Sequence, residues 1–126
     1  MEQAAVLAVA VYRLTGRFPS EERFGLSAQM RRAAVSIGSN IAEGAGRRAN
    51  GELLHFLYIA SGSARELSFQ LRLATAFGYG AGSDHADVHE QLDHVQRMLN
   101  RLTAYLRGKT NRKGKAGRTQ EPPCSD

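Results

Sequence analysis

With 126 residues the chain has room for one domain, and a domain of that size hides well over half of its unfolded surface without a covalent staple. An apolar fraction of 42% with only three prolines excludes a disordered chain, and the single Cys124 excludes an intrachain disulfide, which fits a cytoplasmic setting. The formal net charge of +5 is unevenly spread: residues 1–106 carry eleven Arg and no Lys against ten acidic groups, whereas residues 107–126 carry six basic groups against two.

The first stretch, Ala4 to Tyr12, is apolar almost all round. No basic segment precedes it, and it falls far short of the roughly 20 residues of a membrane span, so neither a signal peptide nor a membrane contact is expected. A first helix is predicted from Glu2 to Leu14, closing at Thr15-Gly16, where the glycine suits a left-handed cap. Ser20, followed by Glu21 and Glu22, is a start signal. Gly25 interrupts it, so a short helical turn is expected before the main second helix, from Ser27 to Gly44-Ala45-Gly46.

That second helix is the spine of the molecule. Met30, Ala33 or Ala34, Ile37 and Ile41 form one apolar stripe, and Ser36, Asn40 and Glu43 run along its edge at i, i+4 and i+7. Ala33, Ala34, Gly38 and Ala42 keep it thin enough for close neighbours. Asn50 is the predicted cap of a third helix, from Gly51 to Phe77. Its leading stripe is Leu53, Leu57, Ala60, Ala64, Leu67, Leu71 and Ala74; a second one is Phe56, Ile59, Ser63, Glu66, Gln70, Leu73 and Phe77. Gly78 to Gly82 breaks the pattern, Ser83 or Asp84 opens a fourth helix, and Val88, Leu92, Val95, Leu99, Leu102 and Leu106 carry it to Gly108. No stretch alternates with period two, so no strand is predicted.

Four helices joined by connections of roughly three to six residues predict an all-α, antiparallel up-down-up-down four-helix bundle. It is expected over residues 1–108, with 109–126 as a basic mobile tail that lacks large apolar residues. Helices one and three carry more apolar surface than one bundle seam hides. A homo-oligomer is therefore expected, with further copies covering the surplus.

The chemistry-bearing residues are few. Ser36, Asn40 and Glu43 face Ser63 and Glu66 across the predicted seam between helices two and three. They are read as a structural polar network that fixes register, with a small polar pocket as the alternative. No nucleophile accompanies them, so no catalytic residue is assigned. His85, His89 and Asp93 share a face at i, i+4, i+8, but further ligands are missing, so neither a metal nor a cofactor is expected. Gly44-Ala45-Gly46 follows no strand, which excludes a phosphate-cradling loop of the nucleotide-binding kind. The basic groups remain: Arg13 and Arg17, Arg31 and Arg32, Arg47 and Arg48, and Lys109, Arg112, Lys113 and Lys115 of the tail are candidates for RNA or DNA backbone contacts. The alternative is a solvated face with a solubilising tail. No aromatic residue interleaves with the tail, so base stacking is not expected there.

The run Tyr12-Arg13-Leu14, Phe18-Pro19, Glu22-Arg23-Phe24-Gly25-Leu26, Gln29-Met30-Arg31-Arg32-Ala33-Ala34-Val35-Ser36-Ile37 and Asn40-Ile41-Ala42-Glu43-Gly44 resembles a bacterial family of small four-helix-bundle proteins. The family is named for intervening sequences in 23S ribosomal RNA genes. Phe56-Leu57, Ala60, Gly62-Ser63, Glu66-Leu67, Gln70-Leu71 and Met98-Leu99 match it too. The resemblance implies a cytoplasmic bundle assembled as a ring, typically a homopentamer. The accessory proteins of diversity-generating retroelements are similar, and bind nucleic acid and a reverse transcriptase through a basic pentamer surface. The expectation is thus a non-enzymatic oligomeric scaffold that holds nucleic-acid backbone, or a nucleic-acid enzyme, through its basic residues. The alternative is a protein–protein adaptor that binds no nucleic acid.

Overall fold

The computed structural model describes residues 2–117, with side chains as far as residue 109. It holds four α-helices: α1 (Glu2–Thr15), α2 (Leu26–Ala45), α3 (Asn50–Phe77) and α4 (Gly82–Gly117), with a 3-10 turn at Ser20–Glu22 between the first two. Each helix packs on the next, and α1 returns against α4, which closes the four-helix bundle. Among the described residues there is no strand.

The stripes read from the sequence are the ones that meet inside. Leu7, Val11 and Leu14 of α1, Met30 and Ile37 of α2, Leu57, Leu67 and Leu71 of α3, and Val88, Val95 and Leu99 of α4 are all fully buried. Each such side chain contributes roughly 1.5–3 kcal/mol through surface removed from water. The second stripe of α3 is covered only in part: Gln70 is buried, whereas Ile59 and Phe77 are exposed. Leu102 of α4 is likewise exposed. Small residues allow a close contact at the α2–α3 turn. A Cβ on Gly44 would stand 2.9 Å from Leu53 Cδ1 and 3.0 Å from Phe56 Cβ.

Several helix ends differ from the sequence expectation. Gly16 does not take the left-handed conformation, since the only positive-φ glycines among the described residues are Gly78 and Gly80. The chain leaves α1 through shorter turns instead, with Arg17 N–H donating to Leu14 O and Phe18 N–H to Thr15 O. The left-handed cap belongs to α3: Gly78 at φ 76° lets its own N–H reach Thr75 O and that of Tyr79 reach Ala74 O. Asn50 is the first residue of α3 rather than its cap, and Ser20 likewise begins the 3-10 turn. Ala49 and Pro19 hold the cap positions and make no side-chain bond.

The largest correction is at α4. Gly108 does not end it; the helix continues to Gly117, through much of what the sequence presents as a mobile tail. One glycine costs a helix interior about 1 kcal/mol relative to alanine, too little to stop it without a proline or a left-handed residue. Arg107 lies over the Tyr58 ring at 6.0 Å and Lys109 over the Tyr105 ring at 5.7 Å, which hold the helix on either side of the glycine. Residues 118–126, Cys124 among them, lie outside the described residues. The helices are unequal: α1 has 14 residues and α4 has 36. At the α-helical rise these are about 21 and 54 Å long, so α1 covers only part of α4.

Candidate functional site

The polar seam between α2 and α3 forms from three of its five expected members. Ser36 and Ser63 join their hydroxyls at 2.9 Å across the interface. Asn40 Nδ2 donates to Ser36 O at 2.8 Å and to Ser36 Oγ at 3.1 Å. The helical spacing of four residues places Asn40 over Ser36, and the small side chains bring Ser63 within reach. Glu43 does not join them. It pairs at 2.8 Å with Arg47, four residues on in the exposed turn that follows the helix. Glu66 is exposed on the rim of a groove with Gln29, Arg32 and Gln70. The carboxylates are therefore not paired with one another, and the bonds of the seam come from hydroxyl and amide groups alone.

The basic residues expected to share one surface are divided. Arg31 points to α1: its Nε donates to Thr15 Oγ1 at 2.7 Å, and its guanidinium lies 4.5 Å from the Tyr12 ring centre. Arg32, one residue on and about 100° round the helix, faces the α2–α3 groove instead. Arg13 borders a shallow apolar depression with Val6, Val9 and Asp87. Arg17 is exposed, 3.7 Å from Asp84. Arg47, held by Glu43, also lies 5.0 Å from the Phe56 ring, and Arg48 is exposed in the following turn. Arg112, Lys113 and Lys115 fall on the last turns of α4, beyond Lys109. Up-down-up-down connectivity puts Arg47, Arg48 and the end of α4 at one end of the bundle, and Arg13, Arg17 and Arg31 toward the other.

That other end is fastened by pairings that the sequence pattern does not reveal. Glu22 accepts the Leu26 N–H and the Tyr79 hydroxyl, each at 3.0 Å, so its carboxylate caps α2 and ties the first connection to the last. The hydrogen bond to Glu22, partial loss of water, and the charges of Glu22 and Glu21 all hold the Tyr79 phenol above its usual pKa. Phe18 and Phe77 flank the Tyr79 ring, each with centroids 5.4 Å away. His85 Nε2 donates to Tyr79 O at 2.7 Å, which places its proton on that nitrogen. His85 is thus turned into the loop, away from a shared metal position with His89 and Asp93; among the described residues no three potential ligand side chains converge.

A groove between α3 and α4 was also not anticipated. It has a volume of about 320 Å³ and is lined by Ser61, Arg65, Asp93, Gln96, Arg97 and Asn100, among others. The sequence held one usable signal, the 4-residue spacings Ser61–Arg65 and Asp93–Arg97 on adjacent predicted helices.

Comparison with known proteins agrees with this architecture. The family model described as 23S rRNA-intervening sequence protein matches residues 1–101. A protein of unknown function from the S23 ribosomal protein family of Bacteroides thetaiotaomicron has a similar crystal structure. The TM-score is 0.73 at 22% identity, over 81% of this chain and 95% of that one, a likeness that speaks for the fold alone. No curated protein matches. A match over most of the chain, on a bundle whose α2 carries the motif from Gln29 to Gly44, makes this protein a member of the 23S rRNA-intervening sequence protein family.

Proposed function

We propose that this protein is a non-enzymatic, oligomeric helical scaffold that holds nucleic-acid backbone, or a nucleic-acid enzyme, at its basic end. The observation that supports assembly is a row on α1: Val6, Val9 and Tyr12 are 44%, 51% and 47% exposed. A second copy laid along α1 removes that row from water, as repeated copies do in a closed ring. The pentamer implied by the sequence resemblance is the ring size this reading adopts, and the cytoplasm its setting. Support for the ligand comes from charge: Arg47, Arg48 and the positions of Lys109, Arg112, Lys113 and Lys115 on α4 gather at one end, and a ring multiplies them about its axis.

The test has two parts. Native mass measurement is expected to return a multiple of the 13.7 kDa chain, and a monomer at high concentration overturns the scaffold. Titration of RNA and duplex DNA binding with salt is expected to give a log–log slope of about −0.7 to −0.9 per phosphate contacted. A second reading, an adaptor that binds protein alone, draws on Arg31 and Arg47 being engaged by Thr15 and Glu43. A slope near zero selects it.

A further inference from the structure

The sequence offers no aromatic residues among the basic groups of its C-terminal segment, yet the fold builds such a surface elsewhere. Along the α4-facing edge of α3, Tyr58, Arg65, Phe69 and Arg72 follow one another at 7, 4 and 3 residues, and therefore share a face. All four are exposed, Tyr58 at 45% and Phe69 at 58%. The groove beside this row adds Arg97, with Ser61, Gln96 and Asn100 as neutral hydrogen-bond donors. Its acid, Asp93, is taken by Arg97 at 3.0 Å, whereas Arg65 makes no ion pair among the described residues. Arg107 lies over Tyr58, extending the positive charge along the same edge.

We infer that the α3–α4 face binds a single strand of nucleic acid, its phosphates on Arg65 and Arg97 and its bases stacked on Phe69 and Tyr58. The chemistry selects this occupant in three steps. Charge decides first: of four arginines only Arg97 has a carboxylate partner, Asp93, and the surplus positive charge calls for an anionic partner. Donor spacing comes next, since Arg65 and Arg97 stand on opposite walls of a groove that also offers hydroxyl and amide groups to phosphate oxygens. The exposed rings then distinguish single strands from duplex, because inside a duplex the neighbouring base pairs cover both faces of each base, whereas a single strand can turn a face to an aromatic ring. Tyr58 and Phe69 are 11 positions apart, about 16 Å along the helix, which leaves Arg65 between two stacking platforms. The inference rests on the nucleic-acid reading proposed above and moves it to a surface that shares none of its residues.

The experiment measures binding of a fluorescent oligonucleotide of about twelve nucleotides, a length within the range of known single-strand sites, against its duplex. Wild-type protein is expected to bind the single strand at least tenfold more tightly. Arg65→Gln with Arg97→Gln should weaken single-strand binding about tenfold and reduce the salt slope by about 1.4, as loss of two phosphate contacts requires. Phe69→Ala should weaken it about fivefold or more and leave the salt slope unchanged. Arg47→Gln with Arg48→Gln serves as the control at the other surface. If that pair abolishes binding while Arg65→Gln/Arg97→Gln does not, the α3–α4 site is wrong and the basic-end scaffold stands. Equal affinity for duplex also overturns the site. So does a Phe69→Ala variant that loses its oligomeric state, which would make the row a contact between copies. If wild-type protein binds neither probe, both readings fall.

Discussion

Gly44 shows how little room the spine leaves for change. Its neighbours Leu53 and Phe56 stand against the position a Cβ would take. Leu53 Cδ1 is the end of a flexible side chain and can turn aside, but Phe56 Cβ is fixed to its backbone. Gly44→Ala therefore brings a helix-propensity gain of up to about 1 kcal/mol against an overpacking cost of about 1–3 kcal/mol. The net expected in urea unfolding is a loss of stability, and a gain would mean the α2–α3 turn yields more easily than its contacts indicate. Ser36 is the complementary case. Its hydroxyl meets both Ser63 and Asn40, so Ser36→Ala should cost about 0.5–1.5 kcal/mol for the unmade bonds. Ser36→Cys, which keeps some bulk and a weak donor, should cost less in the same measurement. These polar positions were legible in the sequence because helical spacing alone brings Ser36 to Asn40. Glu43 was not: one turn further on, Arg47 competes for it, and an exposed pair at i, i+4 forms more readily than one across an interface.

At the scale of elements, the two connections at one end of the bundle behave as a single unit. The Tyr79 hydroxyl donates to Glu22 in the folded chain, so folding favours the protonated phenol and raises its pKa. The sign follows. This contribution is fully present below the ordinary tyrosine pKa near 10 and is lost as pH rises through the raised value of the fold. An ultraviolet titration of phenolate should show a late component that vanishes in Tyr79→Phe; an unaltered curve would place the hydroxyl in water. Neither partner could be paired from the sequence, since 57 residues separate them and no periodicity links one loop to another. The stripes of Met30–Ile41, Leu57–Ala74 and Val88–Leu99 were readable because a helix's own geometry dictates them. The end of α4 is hidden in the sequence for a local reason: Gly108 resembles a stop, while the arginine and lysine beside it are good helix formers.

For the whole molecule, inequality of length matters more than any one contact. The bundle has four helices abreast only where α1 runs, and toward the C-terminal end of α4 it thins. Leu102 and Tyr105 are exposed on that stretch, at 39% and 59%. The α1 row and this stretch are separate, so a partner can cover one and leave the other. Val9→Asp should disperse an assembly built on α1, because it puts a charge in the row without touching the buried Leu7 and Val11. Light scattering should show the smaller species while helical circular dichroism stays at its wild-type level. An unchanged mass would move the contact to the Tyr105 stretch.

The Glu22–Tyr79 tie has one more consequence. It closes the end where α1 stops and α2 begins, whereas the opposite end holds the outer termini of α1 and α4 and the α2–α3 turn. Thermal opening should therefore run in one direction, like a clothes peg gripped at its spring. Amide protons near Val11, Met30 and Leu71 should trade with deuterium last, and those at the far end of α4 first.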